Sequence, residues 1–450
     1  MLNDKCIMFW DGFSILLPYS KIGVICMKKF VVVLLFLLTV ATLYFGKNIE
    51  IVYWTHTDTA RTELENRLIE EFEAKYPNVT IKRVYNEAKK MGDLVLTAFS
   101  GNNGPDIFNL QSEQLFSYMI NGRVSPVDFK ALGLKDEEAL EGEYSKGTFN
   151  PVTYDGEIYG IPLELTNWCI YINKKLFRDA GLDPETDYPK TWEDMLVLAD
   201  KLVQRNGEII TRRPFDFRYP YYLVSLLPMV QQLGGDLVSP DGKTAIYNEE
   251  AWLKVLNYFK EWGMHGKNYG NPTYTNARKV WNKDNGDIVM CLTGLYQQGR
   301  LRTDNLEFFN SDDWMIVPFP VFEDAVNDNG AAYYGQYWMV NAQASKDTQE
   351  WSWKFIDYMR QHAEEYLADV NLMQPINSLL ESDLFKSMPY SDVFTKDLEK
   401  SNPVFVHENG KMMEEKIGVA IQAVMLSGTD PEEALEQLKA DIQEILDDSY

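Results

Sequence analysis

Ile49-Glu50-Ile51-Val52-Tyr53-Trp54, followed by Leu64, Leu68, Phe72 and Tyr76 and then by Pro77-Asn78-Val79, is the stretch that decides the fold. The first run reads as a largely buried strand. The four-residue spacing marks one face of a helix, which Pro77-Asn78 stops. Val79 to Tyr85 reads as a second strand, and Met91, Leu94, Val95 and Ala98 form another helix face. Gly104-Pro105 punctuates the chain before Asp106-Ile107-Phe108 starts a third strand. Strands alternating with helices predict an α/β fold with mainly parallel sheets flanked by helices. In such sheets ligands bind beyond the carboxyl ends of the strands. Two polar segments fall there, Thr55-His56-Thr57-Asp58 and Asn109-Leu110-Gln111-Ser112-Glu113, each readable as ligand contacts or as solvated loop.

Working outward, Thr191-Trp192-Glu193-Asp194 reads as a helix start, continued by Met195, Leu198 and Leu202 and closed near Gly207. Asp430-Pro431-Glu432-Glu433 opens a C-terminal helix with Leu435, Leu438, Ile442 and Ile445 on its face. Pro240-Asp241-Gly242 predicts a hairpin turn. The chain has 450 residues, more than one core usually supports, so two lobes are expected. No low-complexity linker separates them, which implies a chain that crosses between lobes more than once.

Apolar residues make up 45% and charged residues 24%, the balance of a folded globular chain. The net charge of -24 repels phosphate backbones and argues against nucleic acid as a partner. Residues 1–47 reverse that balance, with five Lys against Asp4 and Asp11. Within them, Met27-Lys28-Lys29 and the apolar run from Phe30 to Phe45 have the layout of a secretory signal. Thr39 and Ala41 suit cleavage after Ala41; retention as an N-terminal membrane anchor is the alternative. Either way the body is expected in the periplasm or at the cell surface. Residues 1–26 fit neither reading and are expected to be an extension from an upstream start, with 27–47 as the signal peptide or anchor.

The four His are scattered, and no zinc-binding spacing or nucleophile elbow occurs. No cofactor, metal or catalytic residue is expected. Cys169 and Cys291 sit among apolar residues, either as buried thiols or as a disulfide.

A series of segments then carries a resemblance: Ile51-Val52-Tyr53-Trp54, Phe72 to Val79, Gly104-Pro105-Asp106-Ile107, Tyr159-Gly160-Ile161-Pro162, Asn173 to Phe177, Ala180-Gly181-Leu182, Lys190-Thr191-Trp192, Gly234-Gly235, Asp287 to Met290 and Asp430 to Leu435. In this order over residues 49–446 the chain resembles the extracellular solute-binding proteins of ABC importers, in particular the large sugar-binding, maltose-binding-protein-like group. The resemblance implies two lobes joined by a multi-crossing hinge, with ligand in the cleft between them. It places residues 48–161 plus 319–370 in the N-lobe and 162–318 plus 371–450 in the C-lobe. The crossings are then expected at Ile161 to Glu164, at Val317 to Pro320 and at Asn371 to Pro375. It implies an oligosaccharide or other sugar as ligand, the permease subunits of the transporter as partners, and a monomer. No Cys follows the apolar run, so a lipid anchor is not expected. An extracytoplasmic carbohydrate-active enzyme and a sugar sensor are the alternatives.

Sugar recognition needs flat apolar faces for C–H groups and planar donors and acceptors for hydroxyls. By the resemblance, Tyr296 stands where the family often places a stacking aromatic, and Glu164 at a position often acidic, with Asn167 and Trp168 in the same segment. Tyr333, Tyr334, Tyr337 and Trp338 form a second aromatic cluster, divided between site and core, with Tyr337 and Trp338 as the candidate contacts. His56 and Asp58 follow the first strand and Glu113 the third, where relatives place polar contacts. Tyr221 and Tyr222 begin a helix that leads to Gly234-Gly235, and Tyr222 is the candidate contact of the two. Leu110 replaces the stacking tryptophan of maltose-binding protein, which implies a different sugar.

Overall fold

The computed structural model describes residues 47–87 and 90–448, together with the backbone of 5–10 and 13–18. The signal or anchor expected over 27–47, and with it the start at Met27 that an extension over 1–26 implies, lies outside the described residues, Lys47 excepted. Among the described residues no helix is long and apolar enough to cross a membrane.

Two five-stranded sheets organise the body. The first runs in the order Val79–Asn86, Ile49–His56, Ile107–Gln111, Tyr334–Val340, Ile161–Thr166. The second runs Gln204–Asn206, Ile209–Asp216, Ile288–Thr293, Cys169–Asn173, Trp314–Val317. The α/β class is as expected, and the first three strands pair in parallel as the βαβαβ pattern requires. Each sheet also contains antiparallel pairings, so the sheets are mixed as wholes. Tyr334–Val340 enters the first sheet antiparallel to both its neighbours, and Cys169–Asn173 does the same in the second. Each is a strand that arrives from the other sheet, so a one-sheet pattern of helix crossovers does not govern its direction.

Helix Thr59–Lys75 buries Leu64, Leu68 and Phe72 against the first sheet, and Lys346–Gln361 adds Phe355 and Ile356. In helix Met91–Ser100 the buried face is Met91, Val95 and Phe99, with Leu94 40% exposed, so the face is turned from the expected one. Helix Trp192–Leu202 starts at Thr191 with a capping box to Asp194 and ends before Gly207, which turns the hairpin between Gln204–Asn206 and Ile209–Asp216. Gly242, at φ +73°, turns the predicted Pro-Asp-Gly hairpin. The second sheet has an apolar cluster on each face, one around Trp192, Phe217 and Trp262 and one around Tyr171, Trp281 and Trp314. Trp168, Trp192, Trp252, Trp262, Trp281, Trp338 and Trp353 are all fully buried, so the aromatic richness mainly builds cores. Cys169 and Cys291 are buried free thiols.

The chain passes between the sheets three times. Ile161 to Glu164, the expected first crossing, lie inside the first sheet, because residues 161–166 pair with Tyr334 to Trp338. The passage is therefore at Asn167-Trp168. After Trp314–Val317, residues up to Tyr333 stay with the second sheet: Phe319 and Phe322 join its core, and Val321 bridges Thr191. The return thus falls at Tyr333-Tyr334 rather than at Val317 to Pro320. A third passage follows Val370, where Asn371 takes φ +58° and Leu165 N–H donates to Met373 O (2.8 Å).

Candidate functional site

A cavity of about 620 Å³ opens between the two sheets and is lined from both. The wall on the first sheet is a row of planar polar groups. Gln111, Gln336 and Glu164 are register partners on three adjacent strands. Gln336 Nε2 donates to Glu164 Oε1 (3.0 Å), and Asn109 Nδ2 donates to Gln336 Oε1 (2.6 Å). Thr55 Oγ1 donates to Asn109 Oδ1 (2.8 Å) and accepts from Arg61 Nη2 (2.5 Å). Arg61 is 2% exposed and also ties down the end of the first strand through His56 O (2.6 Å). Each of these groups is thus held in one orientation before any ligand arrives, and preorganisation of this kind lowers the cost of binding.

The opposite wall is aromatic and cationic. Arg218 follows the strand Ile209–Asp216 at φ +60°, with its N–H donated to Asp216 Oδ2 (2.9 Å). Its guanidinium lies over Trp168 at 4.0 Å, donates to Thr293 Oγ1 (3.0 Å), and donates to the Tyr296 hydroxyl. Arg300, on helix Gln297–Asp304, lies over the Tyr296 ring at 4.7 Å. It donates from Nε and Nη2 to Asp58 Oδ2, both at 3.1 Å, so this ion pair joins the two walls. Asp58 also caps helix Thr59–Lys75 by accepting from Arg61 N–H through its other oxygen (3.2 Å). Tyr221 and Arg278 also belong to this wall, and Tyr334 lines the cavity from the start of its first-sheet strand.

Charge in this enclosed space follows from burial and neighbours. Burial pushes the Glu164 carboxyl up to about 7 against the pull of Arg300 and Arg61. Burial alone would raise Asp58 too, but Arg300 and Arg61 outweigh it and hold that carboxyl below its usual range. Burial, Arg61 and Arg300 together keep His56 well below the ordinary imidazole value, hence neutral. The Tyr296 phenol is lowered because Arg218, Arg278 and Arg300 outweigh its burial.

Of the ten candidate contacts, His56, Asp58, Glu164 and Tyr296 line the cavity, as do Asn109, Gln111, Tyr221 and Tyr334 from the segments named with them. Six others do not. Glu113 is buried on the turn after the third strand, facing Glu414 of helix Gly410–Gln422, and the lining position there is Gln114. Asn167 is turned away, its Nδ2 donating to Phe394 O (3.3 Å). Trp168 lies beneath Arg218, one layer behind the wall. Tyr222 points into the core against Tyr219, while its neighbour Tyr221 faces the cavity, since adjacent residues diverge where a helix begins. Tyr337 donates to Thr148 O (2.5 Å) and Trp338 Nε1 to the Tyr53 hydroxyl (3.0 Å). Both are core because helices cover both faces of that sheet.

Arg218, Arg278 and Arg300 escaped the sequence reading. Only Arg300 carried a readable signal, its four-residue spacing from Tyr296 on a helix. Among the described residues no group of three or more His, Cys, Asp and Glu is placed to hold a metal ion.

Comparison with known proteins agrees with this architecture. The arabinooligosaccharide-binding protein of Halalkalibacterium halodurans is 23% identical over 376 residues, covering 80% of this chain and 74% of its own. An ABC transporter solute-binding protein of Thermotoga lettingae bound with α-D-tagatose superposes with a TM-score of 0.77 at 18% identity, over 88% of this chain and 100% of that one. The MalE maltose/maltodextrin-binding domain of Bdellovibrio bacteriovorus, bound to maltotriose, gives 0.74 at 18% identity over the same shares. The family model of bacterial extracellular solute-binding proteins matches residues 67–387. With that match spanning most of the chain and the same two-sheet frame around a cleft, the chain belongs to the bacterial extracellular solute-binding protein family.

Proposed function

We propose that this protein is the carbohydrate-binding subunit of an ABC importer, capturing an oligosaccharide outside the cytoplasm and handing it to the permease as a monomer. One observation carries the reading. Between the two sheets a fixed row of amide and carboxylate groups faces the rings of Tyr221 and Tyr296 across a cavity of about 620 Å³, with Tyr334 on the strand of the row itself. That combination suits a saccharide, whose hydroxyls take the planar groups and whose C–H faces take the rings. The known ligands of relatives support it: an arabinooligosaccharide-binding protein and a diacetylchitobiose-binding protein are similar in sequence. The basic and apolar N-terminal segment supports export by a signal or an anchor. His56, Asp58, Glu164 and Tyr296 are assigned as ligand contacts, joined by Asn109, Gln336, Tyr221 and Tyr334. The three passages at Asn167-Trp168, Tyr333-Tyr334 and Asn371 to Pro375 are assigned as the hinge between two lobes.

Calorimetric titration with a panel of oligosaccharides, followed by chromatography of the recovered sugar, tests this reading. Saturable binding with the sugar returned intact is expected. Shortened products would replace the importer with an enzyme, and an absence of binding across the panel would remove carbohydrate as the ligand class.

A further inference from the structure

Resting on the carbohydrate reading, we infer that the ligand is an acidic saccharide whose oxyanion is seated between Arg218 and Arg278. Most charges around the cavity are compensated. Arg300 is matched by Asp58, and Glu87 by Lys90 at 2.9 Å. Asp304 accepts from Asn282 Nδ2 (2.8 Å), and Glu164 accepts from Gln336. No carboxylate ion-pairs with the guanidinium of Arg218 or of Arg278 among the described residues. Arg218 Nε is a buried donor with no partner there, although the same side chain stacks on Trp168 and bonds to Thr293.

Arg278 lines the same cavity, half-buried, with no side-chain hydrogen bond among the described residues. Burial and the nearby Arg218 push its guanidinium down to about 10; Asp216, a carboxyl near enough to feel both cations, is itself raised to about 7 by burial and ion-pairs with neither among the described residues. A buried donor left unmade costs free energy, and two adjacent cations add repulsion. A bound oxyanion relieves the repulsion, because guanidinium forks match carboxylate, sulfate and phosphate oxygens. A neutral sugar supplies acceptors but no charge. The -24 net charge of the chain does not override this, since salt screens distant charges over about 8 Å whereas the arginines stand at the ligand.

Calorimetry on the whole chain separates the cases. The acidic probes are trigalacturonate (carboxylate), a sulfated disaccharide and trehalose 6-phosphate; the uncharged ones are methyl-esterified trigalacturonate, xylotriose and maltotriose. At least one acidic probe is expected to bind at least tenfold more tightly than every uncharged one, weakening as salt rises. The arm that binds identifies the oxyanion. Arg278→Gln should weaken that probe by roughly ten- to a hundredfold, the range for a hydrogen bond to a charged group, while Arg278→Lys keeps part of the affinity. Arg278 is half-buried on a short helix, so its variants test the site even where Arg218→Met fails to fold. Uncharged probes binding as well as acidic ones, or Arg278→Gln leaving the acidic probe unaffected, overturns the inference and leaves the carbohydrate reading standing. If no probe of either kind binds, both fall.

Discussion

Glu164 and Gln336 face each other across two paired strands, and their bond fixes which oxygen of Glu164 is left for a ligand. With its carboxyl pushed up to about 7, Glu164 changes between a neutral acid and an acceptor-only carboxylate around neutrality. Charge-assisted hydrogen bonds are about twice as strong as neutral ones. Affinity for an uncharged sugar should therefore rise from about pH 6 to about pH 8 with a midpoint near 7, and Glu164→Gln should flatten the profile. Calorimetry across that range checks it; a flat wild-type profile would mean that Glu164 does not touch the ligand. The neighbouring misassignments have the same physical root. Tyr222 and Tyr221, or Glu113 and Gln114, differ by one position, and one position decides whether a side chain meets the cavity or the core.

At the scale of elements, the capping box at Thr191 is written in four consecutive residues and forms as expected. Thr191→Ala removes the bond to Asp194 N–H and should cost about 1 kcal/mol of stability, read from the denaturant midpoint. The crossing ribbon was less legible. Thr166 pairs with Tyr334, so the first and second passages lie side by side, and Trp168 sits at their end beneath Arg218. A ligand that engages Arg218 should perturb Trp168. Saturation should change tryptophan emission, and Trp168→Phe should remove most of that change while the other tryptophans remain. If the change survives the substitution intact, the signal arises elsewhere and the hinge does not report on the cleft.

For the whole molecule, the Asp58–Arg300 pair and the bond from Lys411 to Asp93 both join the two halves. Closure around a ligand needs differential affinity for the closed state. A micromolar ligand supplies about 8 kcal/mol in total, and a near-complete swing needs about 5.5 kcal/mol of difference. Saturating sugar should therefore lower the radius of gyration in X-ray scattering; an unchanged curve would mean a preformed pocket. The buried carboxyls set a second whole-molecule property. Burial and the nearby Glu414 push Glu113 up to about 8, and burial raises Glu414, Asp216 and Glu164 to about 7. These groups hold protons in the folded state that the unfolded chain releases near pH 4 to 5, so their stability contribution is lost as pH rises through about 7 to 8. His56, lowered in the fold, acts in the opposite sense but only as pH falls below about 6.5. The unfolding temperature should therefore fall from about pH 6.5 to 8.5, less steeply in Glu113→Gln. A midpoint that rises over this interval would contradict the assignment.

What the sequence determined by itself was whatever periodicity and turn chemistry encode locally. The strand-helix-strand pattern from Ile49, the stop at Pro77-Asn78, the cap at Thr191 and the apolar face of the last helix all formed from residues close in the chain. Four cavity residues were also legible, because His56 and Asp58 follow a strand end and Glu164 and Tyr296 stand in recognisable segments. Tertiary structure alone decided the rest. Which strands run antiparallel depends on where the chain returns from the other sheet, and that return is set by the pairing of residues 161–166 with Tyr334 to Trp338. Arg218 and Arg278 carry no mark in the sequence among 43 Lys and Arg. Arg218 and Arg278 lie 60 residues apart, and only the folded chain places both beside one cleft, where burial and mutual repulsion give two ordinary cations a shared chemistry.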